Sequence, residues 1–148
     1  MKNPLSLRDR ALGLLARREH SRTELQRKLA PHTEDPQELI DLLDELARRG
    51  WLSDARFAEA LVHDKQGKFG AMRLAYELRE RGVPDAVIRD QLVELKDSEL
   101  ERARHVWQSK FGVPPEDAKA RAKQMRFLQS RGFNLDVITK VLRNTSGD

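Results

Sequence analysis

Three times the chain uses one six-residue ending: Leu46 to Trp51 reads LARRGW, Leu78 to Val83 reads LRERGV, and Leu128 to Phe133 reads LQSRGF. In each, the glycine can take the positive φ that closes a helix in a Schellman turn. The apolar residue after it can pack back on the leucine, and an arginine lies at the negative end of the helix dipole. A chain punctuated in this way is confined to short helices joined by tight turns. The likeness of the second and third copies extends past the glycine. Leu78, Arg81, Gly82, Val87, Ile88 and Leu92 recur as Leu128, Arg131, Gly132, Val137, Ile138 and Leu142, at a constant offset of 50. A fixed period of this size marks a repeat architecture.

Between the stops, apolar residues fall at helical spacing. Leu7, Ala11, Leu14 and Leu15 predict a first helix that ends near His20. Ser21 to Glu24 reads as a capping box, with Ser21 accepting from the Glu24 amide and Glu24 reaching back, ahead of Leu25 and Leu29. Pro31 ends that helix, and Pro36 suits the first position of a third one carrying Leu39, Leu42, Leu43 and Leu46. Ser53 or Asp54 is expected to cap a fourth helix with Phe57, Ala58, Leu61 and Val62, and Gly67-Lys68-Phe69-Gly70 reads as a flexible break. Ala71, Leu74, Ala75 and Leu78 make the fifth, and Pro84 restarts a sixth with Val87, Ile88, Leu92 and Leu95. Ser98 is expected to cap a seventh with Leu100, Ala103 and Trp107, halted by Gly112 and the Pro114-Pro115 pair. The eighth carries Ala118, Ala122, Met125 and Leu128, and the ninth Leu135, Ile138, Val141 and Leu142, with fraying expected over 144–148. No segment alternates with period two, so no strand is expected. Nine helices in three triplets, 1–50, 51–97 and 98–148, predict an all-α fold of three tandem three-helix repeats in an elongated, curved array.

Composition narrows the chemistry. Charged residues make up 35% of the 148, well above an average domain, and aromatics only 5%, which suits small stacked units better than one large core. Cysteine is absent, excluding disulfides, thiolate catalysis and Cys-ligated zinc, as a reducing cytosol permits. The opening MKNPLSLRDR has no apolar run of the kind a secretory leader carries, and no stretch approaches a membrane span, so a cytoplasmic protein is expected. His20, His32, His63 and His105 have no metal-ligand spacing, and there is no nucleophile elbow, phosphate loop or dinucleotide fingerprint. The expectation is a chain without enzymatic activity, metal or cofactor. Lacking a long apolar stripe, it is expected to be a monomer.

The net charge of +4 is unevenly spread: the last 51 residues hold ten Lys/Arg against six Asp/Glu, while the preceding two thirds are balanced. In the eighth helix Lys119, Lys123 and Arg126 fall at i, i+4 and i+7 and share a face, with Arg121 and Arg131 flanking them. Arg17, Arg18 and Arg22 form a second group. Such groups can hold phosphates without reading bases, and equally can be a solvated helix face. Gly67-x-x-Gly70 has the spacing of a backbone-clamping loop, but that loop belongs to a fold with a sheet. Two helix pairs have the outline of a helix-turn-helix, yet Pro84-Asp85-Ala86 and Asn134-Leu135-Asp136 bring acid and apolar groups where base-reading residues are needed. Trp51, Trp107 and Phe133 read as core.

ALGLLARREHSRTELQRKL (Ala11 to Leu29), GWLSDARFAEALVHDKQGKFGAMRLAYELRERGV (Gly50 to Val83) and RFLQSRGFNLDVITKVL (Arg126 to Leu142) together resemble the RecX family, regulators of the RecA recombinase. The resemblance spans nearly the whole chain in order. It departs at His20 and Trp51, where the family usually shows Tyr, and at Ser53, where it often has Asp. It implies a protein that lies in the groove of the RecA filament on single-stranded DNA and suppresses its ATPase, strand-exchange and coprotease activities, with weak direct nucleic-acid binding allowed. Onto matching positions it carries Arg17, Arg18, Arg22, Arg73, Arg81 and Arg131 as contact candidates; Lys119, Arg121, Lys123 and Arg126 come from charge spacing. The alternative is a stand-alone DNA-binding module of helix-turn-helix type.

Overall fold

A computed structural model describes residues 5–145. They form nine α-helices, with two short 3₁₀ turns at Ala30–His32 and Lys96–Ser98 and no strand among the described residues. In order these are α1 (Leu7–Arg17), α2 (Arg22–Leu29), α3 (Pro36–Arg48), α4 (Asp54–Lys65), α5 (Ala71–Glu80), α6 (Asp85–Leu95), α7 (Glu99–Lys110), α8 (Ala118–Ser130) and α9 (Leu135–Thr145). The fold is all-α and built as a helical repeat. Residues 146–148, where part of the expected fraying falls, lie outside the described residues.

The three glycine stops are Schellman turns. Gly50, Gly82 and Gly132 have φ of 75°, 75° and 90°. At each, two carbonyls left orphaned by the helix end are satisfied. Trp51 N donates to Leu46 O at 3.0 Å and Gly50 N to Ala47 O at 3.0 Å. The same pair of bonds joins Val83 to Leu78 and Gly82 to Arg79, then Phe133 to Leu128 and Gly132 to Gln129. Leu46, Leu78 and Leu128 are fully buried, as are the returning Val83 and Phe133. Trp51 is the correction. It is 42% exposed, with the guanidinium carbons of Arg8 at 5.6 Å and Arg49 at 5.1 Å from its ring centroid, cation–π contacts that take the place of a core.

At the helix starts, Ser6, Ser21, Asp35, Ser53, Asp117 and Asn134 cap through their side chains. Ser98 does not: it has helical backbone angles, and its hydroxyl donates back to Leu95 O. α1 stops at Arg17, short of His20. Leu135 opens α9 more than half exposed, outside that helix's buried stripe.

The chain packs as two compact units, residues 1–60 with 78–88, and 61–77 with 89–148; α4, α5 and α6 supply residues to both. In the first unit Leu7, Ala11, Leu25, Leu29, Leu39, Leu43 and Leu46 form the core. In the second, Ala103, Val106, Trp107, Leu128, Phe133, Ile138 and Val141 do so, with Trp107 Nε1 donating to Gln124 Oε1 at 2.8 Å so that no buried polar atom there is wasted.

Each unit is built around the same joint. In the first, the stop of α5 meets the start of α2: Ser21 Oγ donates to Arg81 O at 2.5 Å, and a Cβ on Gly82 would sit 2.3 Å from that of Thr23. In the second, the stop of α8 meets the start of α5: Gly70 N donates to Arg131 O at 2.7 Å, Met72 N to Gly132 O at 3.1 Å, and a Cβ on Gly132 would sit 2.3 Å from that of Arg73. A second repeated bond closes each joint. Arg22 N, at the start of α2, is accepted by Asp54 Oδ1 at the start of α4, and Ala71 N, at the start of α5, by Glu99 Oε1 at the start of α7. Thr23 and Arg73 are 50 apart in sequence, as are Gly82 and Gly132, so the period seen in the sequence is the period of this joint. The negative end of one helix meets the positive end of another, which favours the contact electrostatically.

Candidate functional site

The arginines that sequence spacing singles out divide by what they touch. Arg18 grips Glu24 with both nitrogens, Nη1 to Oε1 at 3.0 Å and Nη2 to Oε2 at 2.6 Å, and Arg81 Nη1 reaches the same Oε2 at 2.8 Å. Glu24 is 8% exposed, so this is a nearly buried carboxylate between two guanidiniums. Burial alone would raise its pKa, but the Arg18 hydrogen bond and the charges of Arg18 and Arg81 outweigh that and hold it below the usual carboxylate range. The capping-box return expected of Glu24 is therefore not made: the guanidiniums, which offer stronger charge-assisted bonds than one amide, claim the side chain. Arg22 pairs with Asp44 at 2.6 Å. Arg73 lies 3.4 Å from Glu77, whose carboxyl is likewise held low because the bonds from Lys65 and Arg73 outweigh its burial. These four arginines are engaged in ion pairs within the fold, with their side chains still partly open to solvent.

The others are unspent. Arg17 is exposed and has no carboxylate partner among the described residues. Lys119, Lys123 and Arg126 are exposed on α8, again without ion pairs among the described residues. Arg121 is half-buried, around the helix from them on the side of Gln124 and Leu128, and does not join their face. Arg131 does not pair with a carboxylate either. Its guanidinium stacks 5.0 Å from the Phe127 ring centroid and 5.4 Å from that of Phe69.

The Gly67–Gly70 break is not loose. Arg102 Nη1 donates to Gln66 O at 2.9 Å and Phe69 O at 2.7 Å, while the rest of its guanidinium is held by Ser98 and Glu99. Gly70 lacks a Cβ because one would lie 2.5 Å from Gly132 O, so this glycine serves helix packing and not a ligand. Sequence reading missed Arg102 altogether, since its partners lie 33 and 36 residues away. The arrangement contains no group of His, Asp and Glu that could hold a metal among the described residues, and no helix there is long and apolar enough to cross a membrane. What the geometry offers is positive charge on the exposed face of α8, without ion-pair partners among the described residues.

Residues 53–92 match the model of the RecX second three-helix domain, and residues 97–142 that of the third. The regulatory protein RecX of Leptothrix cholodnii is 52% identical over 139 residues, covering 94% of this chain and 88% of that one. The chain belongs to the RecX family. The RecX regulatory protein of Ralstonia nicotianae is 46% identical over 142 residues, 96% of this chain and 89% of its own. The crystal structure of RecX from Lactobacillus salivarius superposes with a TM-score of 0.82 over 95% of this chain and 94% of that one, at 18% identity. The RecX fold is thus kept where four in five residues differ, as expected if main-chain joints carry it.

Proposed function

We propose that this RecX-family chain regulates the RecA recombinase by lying in the groove of its filament on single-stranded DNA, as a cytoplasmic monomer of three units, 1–50, 51–97 and 98–148. There it inhibits ATP hydrolysis, strand exchange and coprotease activity, the activities the family resemblance implies. The observation that supports contact with a polyanionic filament is the face of Lys119, Lys123 and Arg126, three cations in one row with no carboxylate partner among the described residues. Family membership supplies the partner, and Arg17 and Arg131 are further contacts.

The test is DNA-dependent ATP hydrolysis by the recombinase titrated with the wild type and with Lys119→Glu/Lys123→Glu/Arg126→Glu. Half-inhibition is expected to need about tenfold more of the triple variant, with helical circular dichroism unchanged. Equal inhibition removes this face from the mechanism. A gel-shift salt titration with and without recombinase separates the stand-alone helix-turn-helix reading, which requires tight, sequence-preferring duplex binding on its own.

A further inference from the structure

On α8, Lys119, Lys123, Phe127 and Arg131 succeed one another at i+4 and so form a single row along the helix, with successive members about 6 Å apart. The row ends in a cleft of 470 Å³ lined by Lys68, His105, Ser109, Lys110, Phe127 and Arg131, with Gly67 and Val106 completing it. No carboxylate among the described residues lines this cleft, although the chain holds almost as many acids as bases. Three cations therefore share a concave surface with no acid among those residues to neutralise them. Lys110 Nζ lies 5.3 Å from the Phe127 centroid, so the ring is flanked by Lys110 and Arg131.

Arg131 is the informative residue. Its guanidinium carbon lies over the Phe69 and Phe127 rings, cation–π contacts that leave its N–H donors unconsumed, and among the described residues no acceptor is bonded to them. An arginine placed over aromatic rings with its fork unspent can receive a planar or tetrahedral oxyanion. Phosphate fits better than an isolated carboxylate, because three cations and a Ser109 hydroxyl converge on one volume. A nucleic-acid backbone fits better than a lone phosphate, because Lys119 and Lys123 continue the positive row out of the cleft at a spacing close to that of successive phosphates along a stretched strand. The volume admits a nucleotide or two and no duplex.

We infer that this cleft binds the phosphodiester backbone of a single nucleic-acid strand, which Lys123 and Lys119 lead away along α8. The binding does not require a recombinase.

The test is fluorescence anisotropy of a fluorescein-labelled oligothymidylate of about 15 nucleotides, titrated with the full chain between about 50 and 200 mM salt. Lys68→Gln/Lys110→Gln touches only exposed side chains. It is expected to weaken binding about tenfold at the lowest salt and to flatten the slope of log K against log salt by about 1.4, two phosphate contacts at about 0.7 each. Arg131→Lys, which keeps the charge and loses the planar fork, is expected to weaken binding with the slope intact. No binding by the wild type, or an unaltered slope and affinity in the double variant, overturns the inference. So does competition by an oligoglutamate of equal charge as effective as that of unlabelled oligothymidylate, which would make the cleft a site for acidic protein segments. Failure of the wild type to inhibit the recombinase, with its oligonucleotide binding and the variant losses as expected, counts against the regulatory reading and leaves the cleft standing.

Discussion

At Glu24 the carboxylate, two guanidiniums and a buried imidazole form one electrostatic cluster. His20 is 1% exposed; its Nδ1 lies 3.0 Å from Arg18 O and its Nε2 3.0 Å from Lys28 Nζ. An ammonium can only donate, so Nε2 accepts and the ring is neutral with its proton on Nδ1. Burial, with the nearby charges of Arg18 and Lys28, pushes the His20 pKa below its ordinary value. The folded state thus binds fewer protons than the unfolded one as pH falls through about 6.5, the unfolded value, so stability present above that pH declines below it. Glu24, held low by its arginines once their bonds outweigh burial, adds a second loss at more acidic pH, beneath about 4.5. We expect the urea midpoint of the wild type to fall from pH 7.5 to 5.5, and that of His20→Gln to be flatter over that window; parallel curves would clear His20 of the effect. The Ser21 cap was readable in the sequence because its partner is three residues away. The fate of Glu24 was not, because Arg81 comes from 57 residues downstream.

At the scale of the helix, the stops do two jobs that can be separated. Alanine at Gly50, Gly82 or Gly132 must adopt a left-handed backbone, at about 1–2 kcal/mol. At Gly50 nothing lies within 4 Å of the added methyl, whereas at Gly82 and Gly132 it collides with Thr23 and with the Arg73 backbone. Chemical denaturation is expected to place Gly50→Ala within that range and the other two lower by a further 1–3 kcal/mol or so. Equal losses at all three would mean that the joints give way freely. Helix positions, caps and stops were legible because each depends on residues within one turn. The joints were not, since carbonyl and amide groups make them, and every residue has those; only the shared offset of 50 between Gly82 and Gly132 hinted at them.

For the molecule as a whole, an excess of four positive charges matters less than where it lies. Lys119→Glu/Lys123→Glu/Arg126→Glu and Arg48→Glu/Arg79→Glu/Arg89→Glu alter the net charge equally, and all six residues are exposed. The first triple is expected to abolish most oligonucleotide affinity and the second to reduce it only slightly, as anisotropy at fixed salt would reveal; similar losses would point to unspecific attraction. The basic bias of the last third was visible in composition, but the aromatic support of Arg131 needed Phe69, which the sequence sets 62 positions earlier. The two tryptophans offer a closing consequence. Trp51 belongs to the first compact unit and is half open to solvent beside two guanidiniums, while Trp107 is buried in the second. Iodide, an anionic quencher, should extinguish the redder Trp51 emission first and leave the bluer light of Trp107, giving each half of this protein its own native optical reporter without any label.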